Sequence, residues 1–526
     1  MTSHGKPDLS LFNTAAEGAH SPPATAGARE WLGLALLALP TMLLGLDLTL
    51  LHLALPALAA DLQPTSLQAL WIMDAYGFMI AGFLITMGTL GDRIGRRKLL
   101  MMGAAAFAVA SVVAAFSTSA GMLIAARALL GMAGATLMPS TLALITTLFA
   151  DPRQRALGFG IWATMFALGM AMGPVVGGAL LEHFWWGAAF LVAVPVVGLL
   201  LPLAPVLLPD HRASQAGRLD LASVGLSLVA MLPVVYGIKQ IAKGGFGLHP
   251  AGAIALGLAF AVVFVRRQRR LADPLLDMSL FANRAFSVAL IVLLLGLVAV
   301  GGTMLLVTQY LQLVAGFSPL VAGLWMGPPA LAMVAAGVTA PLLARRVRPG
   351  FVVAGALGLS VAGYLMLTRL DNGASGVVIV VAGFSLAYLG LGTIAALGTD
   401  LVVGSAPVDK AGSASAMSET VQDLGVSLGI AVLGSLATAV YRRTMLDRIP
   451  ESLGQGAREA VGDSLWAASS VASELPPGLM EEAQAAFTAG FSGAAAFSAV
   501  SVSILAVLAA VSLRHIGVVG GSEPRQ

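Results

Sequence analysis

Cysteine is absent from this chain of 526 residues, and charged side chains are scarce. Without cysteine the chain can form no disulfide and offers no thiolate ligand to a metal. Asp, Glu, Lys and Arg make up 10% of the residues, whereas 58% are hydrophobic and the mean hydropathy is +0.90. Soluble domains carry about 25% charged residues, so a water-soluble globular fold is excluded. The composition predicts an all-α integral membrane protein.

What is present instead is a series of apolar runs from Trp31 to Arg514. A hydrocarbon core of roughly 30 Å needs about 20 apolar residues per helix, and the sequence contains fourteen runs of that kind. They are numbered spans 1 to 14 in chain order: 31–59, 69–90, 99–117, 121–147, 156–181, 187–208, 219–241, 250–265, 285–311, 319–344, 350–368, 376–403, 412–440 and 486–513. The longest connection is the segment 442–485.

Basic residues gather in alternate connections between the spans. GDRIGRRK (91–98) and RRQRR (266–270) are such clusters, whereas intervening loops such as STSAG and DNGAS carry no Arg or Lys. Loops rich in Lys and Arg stay in the cytoplasm of membrane proteins, so the basic connections are expected to be cytoplasmic. The residues 1–30, which read as a disordered tail, and 515–526 are then both inside the cell.

A weak internal repeat predicts two halves. TLGDRIGRRKLLMMG follows span 2 and TAPLLARRVRPGFVVAG follows span 10, and each reads as a helix end, a basic turn and a helix start. Repeats of this kind are typical of transporters built around a midplane site. The predicted units are an N-terminal six-helix bundle (31–208), two inserted helices (219–266) and a C-terminal six-helix bundle (284–514) that includes the outer segment 442–485.

Two glycine-containing motifs lie in the first half. The loop motif after span 2 consists of Gly91, Asp92, Arg93, Gly95, Arg96 and Arg97, in which the glycines permit a tight turn and Asp92 can pair with basic side chains. The span 5 motif consists of Gly169, Gly173, Pro174, Gly177 and Gly178, whose small faces let helices approach closely. Taken alone, the first is also consistent with a solvated basic turn and the second with ordinary helix packing.

These motifs resemble signatures of the major facilitator superfamily. GDRIGRRK resembles its loop signature, and the GPxxGG order of span 5 resembles that of its antiporters. LDLTLLHLALP (46–56) and RALLGMAGATLMPS (127–140) resemble motifs of the fourteen-span drug:proton antiporters, such as the quaternary-ammonium and methyl viologen efflux pumps, and WIMDAYGF (71–78) and MSETVQDLGVSLGI (417–430) extend the resemblance. One departure is span 10, which has no acid although some relatives carry one, and this leaves the range of divalent substrates open.

The resemblance implies a major facilitator fold with two six-helix bundles and two inserted helices. It also implies a proton-coupled multidrug efflux antiporter that exports lipophilic cations by alternating access, works as a monomer without a cofactor and lies in the inner membrane of a bacterium. Two alternatives remain: export of a native metabolite, and a membrane enzyme or sensor. No GxxxxGK[ST] loop for a nucleotide is present, and no loop cluster indicates a catalytic or metal site or binding to nucleic acid.

Asp47 is the acid whose position most needs an explanation. It lies about 16 residues, or roughly 24 Å, from the basic end of span 1. A carboxylate at this depth costs roughly 2.5–3.5 kcal/mol on insertion scales and is retained where it faces a bundle interior or an aqueous cavity. Asp47 is therefore predicted to bind a proton and the substrate cation in turn, and the alternative is a structural ion pair with Arg127 of span 4.

Three further acids fit the same prediction. Glu419 and Asp423 are four residues apart and so share one face of span 13, where they are expected to titrate as a coupled pair. Asp74 follows Trp71 in the outer part of span 2, where an aromatic ring could attract a cation. The alternative for Asp74 is a hydrated residue at the membrane interface.

Overall fold

A computed structural model describes residues 26–210, 220–271, 278–370, 372–405 and 411–514, with single residues at 274, 276 and 516. Residues 1–25, the loop 211–219, Lys410 and almost all of 515–526, for which the sequence predicts tails and basic loops, lie outside the described residues. Within the described residues the secondary structure is helical, and fourteen helices are long and apolar enough to cross a membrane. The predicted number of spans is thus confirmed.

The fourteen spans alternate in direction through one bundle. Their bounds are Ala28–Leu62, Ser66–Ile94, Arg96–Ala115, Ala120–Leu148, Pro152–His183, Ala188–Leu207, Leu221–Gly244, Leu248–Gln268, Arg284–Val314, Pro319–Ala344, Pro349–Leu367, Ser375–Gly404, Ala411–Met445 and Leu479–Ser512. The turns after spans 2, 4, 8 and 10 lie on one side, here called the basic face, and the turns after spans 1, 3 and 5 lie on the opposite face.

The last connection is shorter than the sequence suggests. Span 13 continues to Met445 and span 14 begins at Leu479, so 446–478 is the connecting segment. Gly478, at φ +89°, ends the connection, and Glu481 and Glu482 in the first turn favour an early start of span 14, because carboxylates suit the positive end of a helix dipole. Two short helices, Gln455–Asp463 and Leu465–Ser470, lie between the spans.

Buried apolar side chains form two large cores. One is made mainly of residues of spans 1–6, and the other mainly of residues of spans 9–14 and the segment 446–478. Because each core is built almost wholly from one set of six spans, the two sets are separate packing units. They are called the N-terminal half and the C-terminal half below, and the predicted two-bundle fold with an inserted pair is confirmed.

Spans 7 and 8 form the inserted pair, and an ion pair at the basic face joins the two helices. Asp220 caps span 7, accepts a hydrogen bond from Ser223, and accepts a 2.8 Å ion-pair contact from Arg267 of span 8. Partial burial acts to raise the pKa of Asp220, but the hydrogen bonds from Arg267 and Ser223 outweigh it and lower the pKa. This carboxylate is therefore charged at neutral pH and joins the two inserted helices.

The loop motif after span 2 makes a tight turn, as its glycines predict. Gly95 has a φ of +103°, which an L side chain rarely adopts, and its amide donates to the carbonyl of Gly91. A Cβ on Gly91 would lie 2.8 Å from the Cδ of Arg96, so the arginine side chain crosses this glycine closely. The side chain of Asp92, for which ion pairing is predicted, lies outside the described residues.

The two halves meet at mid-membrane and toward the opposite face. Close approach occurs where a glycine of one half faces the other half: Gly77 with Ser427, Gly178 with Pro319, Gly323 with Pro174, and Gly434 with Leu70. At the basic face, by contrast, the bonds of Arg97 to Asp210 and of Arg348 to the Arg514 carbonyl stay within their own half. This arrangement closes the bundle at the opposite face.

Candidate functional site

Asp47 lies near the middle of span 1 and is paired with Arg127. The Oδ2 atom of Asp47 is 2.7 Å from Nη1 of Arg127, and Arg127 also donates from Nε to the carbonyl of Ile72 in span 2. The Arg127 side chain is 2% exposed, whereas the Asp47 side chain keeps 13%. The carboxylate therefore has one charged partner and still faces accessible space in the middle of the bundle.

Tyr76 connects this pair to the interface between the halves. Its ring lies under the Arg127 guanidinium, with 4.6 Å from Cζ to the ring centre, a typical cation–π distance. Tyr76 is close enough to Asp47 and Asp423 to interact electrostatically with both. Its hydroxyl is buried and has no hydrogen-bond partner among the described residues.

The acids of span 13 face the same region. Asp423 is buried with its Oδ2 unpartnered in the described part of the chain, and Glu419 is partly buried one turn earlier. One turn after Asp423, Ser427 packs on Gly77 of span 2 so closely that a Cβ on that glycine would collide with its hydroxyl. This face of span 13 therefore lies against span 2, next to Tyr76.

Asp74 is paired with a residue of the inserted helices. It is 1% exposed rather than hydrated, and its Oδ2 is 2.8 Å from Nζ of Lys239 in span 7. The Lys239 nitrogen also lies 3.9 Å from the centre of the Trp71 ring. The alternative of an interfacial, hydrated Asp74 is wrong, because span 7 of the inserted pair covers this side of span 2. Whether Asp74 binds protons or substrate stays a prediction.

A sequence signal for Lys239 was available. It is the single charged residue between Leu221 and Ile241, and a lysine inside a span costs about as much as an aspartate. The rule that singles out Asp47 thus also singles out Lys239. Its partner could not be read from the sequence, because the position of the inserted pair around the two halves is not encoded in a local motif.

The glycines of span 5 face two different neighbours. Gly169 and Gly173 pack on span 1, where added side chains would collide with the Met42 carbonyl and the Thr49 hydroxyl. Gly177 also faces span 1, at Leu50. Gly178 instead packs on span 10 of the other half, against Pro319 and Leu320. Pro174 likewise contacts Gly323 of span 10. The motif therefore serves both the packing of one half and the contact between the halves.

Small cavities remain where the halves meet. One of about 40 Å³ lies toward the opposite face, beside Leu70, Gln309 and Tyr441. Another of about 10 Å³ lies between spans 5 and 10, beside Met170, Met326 and Met333. Binding pockets for drug-sized ligands measure about 300–1,000 Å³, so neither cavity holds such a molecule in this conformation.

The segment 446–478 joins the two halves at the opposite face. Asp463, which follows span 13, accepts hydrogen bonds from the backbone amide and the hydroxyl of Ser66 at the start of span 2, at 2.6 and 3.0 Å. Arg442 lies 3.5 Å from the same carboxylate, and Trp466 packs into the core of the N-terminal half. We call Ser66, Arg442 and Asp463 the opposite-face latch. The segment caps this face rather than serving as a passive linker.

Replacing Asp463 by Ala should loosen the closed opposite face. Hydrogen bonds to a charged group contribute about 1.5–3 kcal/mol, so opening should become about tenfold more frequent or more. The measurement is the rate at which a maleimide labels Leu70→Cys, a buried position beside the larger cavity. Glu459→Ala, an exposed acid in the same short helix, is the matched control and should leave the rate unchanged. Equal rates in both variants would show that the latch does not hold the face closed.

No group of three or more His, Asp or Glu side chains suited to a metal occurs within the described residues. The charged groups inside the bundle are instead arranged in ion pairs, Asp47 with Arg127 and Asp74 with Lys239, beside the acids of span 13. Such an arrangement can bind and release cations or protons in a region sealed from one side.

Comparison with known proteins agrees with the fold and the motifs. The sequence profile of the Major Facilitator Superfamily matches residues 37–430. The multidrug efflux pump LfrA of Mycolicibacterium smegmatis is 41% identical over 96% of this chain and 100% of its own length. The methyl viologen resistance protein SmvA of Salmonella typhimurium is 34% identical over 85% of this chain and 90% of its own.

One further relative and one solved structure are also similar to the chain. The tetracenomycin C resistance and export protein of Streptomyces glaucescens is 32% identical over 80% of this chain and 78% of its own. Among solved structures, an inward-facing bacterial homologue of the human lysosomal transporter Spinster has a TM-score of 0.64 at 15% identity, covering 93% of this chain and 98% of that one, which shows the fold alone. The chain belongs to the major facilitator superfamily, and it is a multi-pass membrane transporter rather than an enzyme.

Proposed function

We propose that this protein exports lipophilic cations in exchange for protons. The observation that carries the proposal is the carboxylate of Asp47, which lies in the middle of the bundle, is held by Arg127 and remains 13% exposed. An ionised carboxylate at this depth attracts a cation strongly, and a proton bound to the same group abolishes that attraction. Proton and substrate therefore compete for one site, which couples their movements in opposite directions.

The acids of span 13 supply a second step. Asp423 and Glu419 lie on the face of span 13 that packs on span 2, and Tyr76 interacts electrostatically with both Asp423 and Asp47. A proton displaced from Asp47 by the substrate thus has carboxylates nearby on the other half. The two halves move against each other during alternation. The charge state of Glu419 and Asp423 should therefore depend on which face is open.

The names of the relatives support drug export. A multidrug efflux pump at 41% identity and a methyl viologen resistance protein at 34% identity both align over most of this chain. The class of cation and the coupling to protons are inferred here from the buried acids. We expect the proton gradient to be the energy source, with no cofactor, because the sequence has no nucleotide-binding loop.

The test is transport by purified protein in liposomes. With an imposed proton gradient, tetraphenylphosphonium should accumulate against its own gradient, and its movement should drive protons the other way. A neutral molecule of similar size is the control for leakage. Accumulation that is indifferent to the proton gradient would contradict the coupling, and absence of cation movement would favour export of a native metabolite.

The orientation is also a proposal: both termini and the basic face are cytoplasmic. The Arg-rich connections motivate it, and the closed opposite face is then the one that faces the outside of the cell. The chain has no cysteine, so single cysteines report accessibility cleanly. Ser3→Cys and Ser522→Cys should resist an impermeant maleimide in intact cells and react after lysis. Labelling of both residues in intact cells would show that the orientation is reversed. Labelling of one alone would show that the number of spans is not even.

A further inference from the structure

Trp71 and Asp74 form a cation site that a side chain of the protein fills. The two residues are three apart on span 2 and so share one helical face. A carboxylate and an aromatic ring face are groups that recognise organic ammonium ions. The ammonium of Lys239 lies 2.8 Å from the carboxylate and 3.9 Å from the ring centre. It occupies the position that an ammonium or other lipophilic cation would take.

Apart from the Trp71 ring, this ion pair has little support from its surroundings. Both side chains are 0% exposed, and no well-aligned hydrogen bond reaches the Asp74 oxygens or the Lys239 nitrogen among the described residues. A buried ion pair without further hydrogen bonds stabilises a fold weakly, because the cost of desolvating two charges offsets their attraction. Stability alone therefore does not account for a lysine in this place.

The pair of Asp47 and Arg127 is built differently. Arg127 belongs to the N-terminal half, donates a second hydrogen bond to the Ile72 carbonyl and stacks over Tyr76. Lys239 instead reaches Asp74 from span 7, which lies outside both six-helix halves. Ile72 is two residues from Asp74 in span 2, and Arg127 also interacts electrostatically with Asp74, so the two sites lie in the same region of the bundle.

We propose that Lys239 is a specificity-determining residue: its ammonium occupies the site of Asp74 and Trp71 and withholds that site from the transported cation. This proposal rests on the proposed export of lipophilic cations. In the native chain a substrate meets the carboxylate of Asp47, which is paired with Arg127 but remains 13% exposed, while the fully buried second site is filled by the tethered charge of Lys239. Removing the tethered charge opens the second site, and a dication should benefit more than a monocation because it can use both carboxylates.

Binding of two probes to the purified full-length protein tests this. Equilibrium dialysis in detergent measures the affinity for methyl viologen, a dication, and for tetraphenylphosphonium, a monocation. Lys239→Ala should bind methyl viologen about tenfold more tightly, the scale expected for one desolvated carboxylate and one ring face, and tetraphenylphosphonium about as before. Lys239→Arg, which keeps the charge, should show no gain. Adding Asp74→Asn to Lys239→Ala should cancel the gain.

Arg267→Ala is the matched control, because it also removes a cation from an ion pair of the inserted helices, but at the basic face. It should leave both affinities unchanged. A folded Lys239→Ala protein without a gain would overturn the proposal. If that variant does not fold, the double variant decides: methyl viologen binding about tenfold weaker than in the native protein would show that Asp74 already serves the substrate, and the proposal is wrong.

The experiment distinguishes a failure of the proposed cation export from a failure of the proposed role of Lys239. A native protein that binds neither probe contradicts the proposed function. The comparison between Lys239→Ala and the double variant still reports whether Lys239 blocks a cation site. Because dialysis needs no gradient, a failure of proton coupling also leaves this comparison intact.

Discussion

Asp47→Asn protein should export no lipophilic cation in exchange for protons. The amide neither takes up a proton in the physiological range nor attracts a cation as a carboxylate does. Losing a charge-assisted interaction of about 1.5–3 kcal/mol corresponds to a fall of roughly 10- to 100-fold in cation affinity, and losing the proton site removes the coupling. The measurement is efflux of ethidium from energised cells with equal amounts of protein in the membrane.

Arg127 complicates this experiment and must be controlled. It is 2% exposed, and leaving a buried charge without its partner costs about 3–5 kcal/mol. The double variant Asp47→Asn and Arg127→Leu removes both charges, so it should recover thermal stability and remain inactive. Asp47→Glu keeps the carboxylate and should retain part of the activity. Normal efflux by the folded double variant would mean that the pair is structural and that coupling resides at Asp423.

The second large effect is expected at Gly178. An added side chain there would collide with the backbone of Pro319 and Leu320, which belong to the other half. Gly178→Val should therefore disfavour the conformation with a closed opposite face while leaving each half folded. Export should fall to a small fraction of the native rate, because alternation needs both closed states. The labelling rate of Leu70→Cys should rise at the same time.

Gly173→Val is the matched control on the same helix. Its side chain would collide with Thr49 of span 1, in the same half, so it should lower the thermal stability of the protein and disturb the helix that carries Asp47. It should not raise the labelling of Leu70→Cys in protein that remains folded. If the two variants behave alike, the division of the glycine motif between two neighbours has no functional meaning.

The sequence was sufficient for those features that depend on local pattern. Runs of apolar residues predict the fourteen spans because every helix must match the thickness of the bilayer, and all fourteen are confirmed. The turn at Gly95 follows from glycine tolerance of a positive φ. The family follows from the order of its motifs. The sequence also predicts, as the alternative for Asp47, an ion pair with Arg127, and this contact is formed.

Features that depend on how helices are arranged around one another could not be predicted. Glycines one turn apart share a face, but nothing in their spacing tells that Gly178 meets span 10 while Gly173 meets span 1. Lys239 reaches Asp74 from an inserted helix whose position is set by the packing of the whole bundle. The bonds between Ser66 and Asp463 join residues almost 400 positions apart. Each of these contacts is decided by tertiary packing rather than by sequence periodicity.

Proton release from purified protein on addition of substrate tests the central claim most directly. In weakly buffered detergent solution near neutral pH, tetraphenylphosphonium should release protons from the native protein, because cation and proton compete for the carboxylate of Asp47. The double variant Asp47→Asn and Arg127→Leu should release none. Undiminished proton release from that folded variant, or cation binding to the native protein without any proton release, would contradict the account.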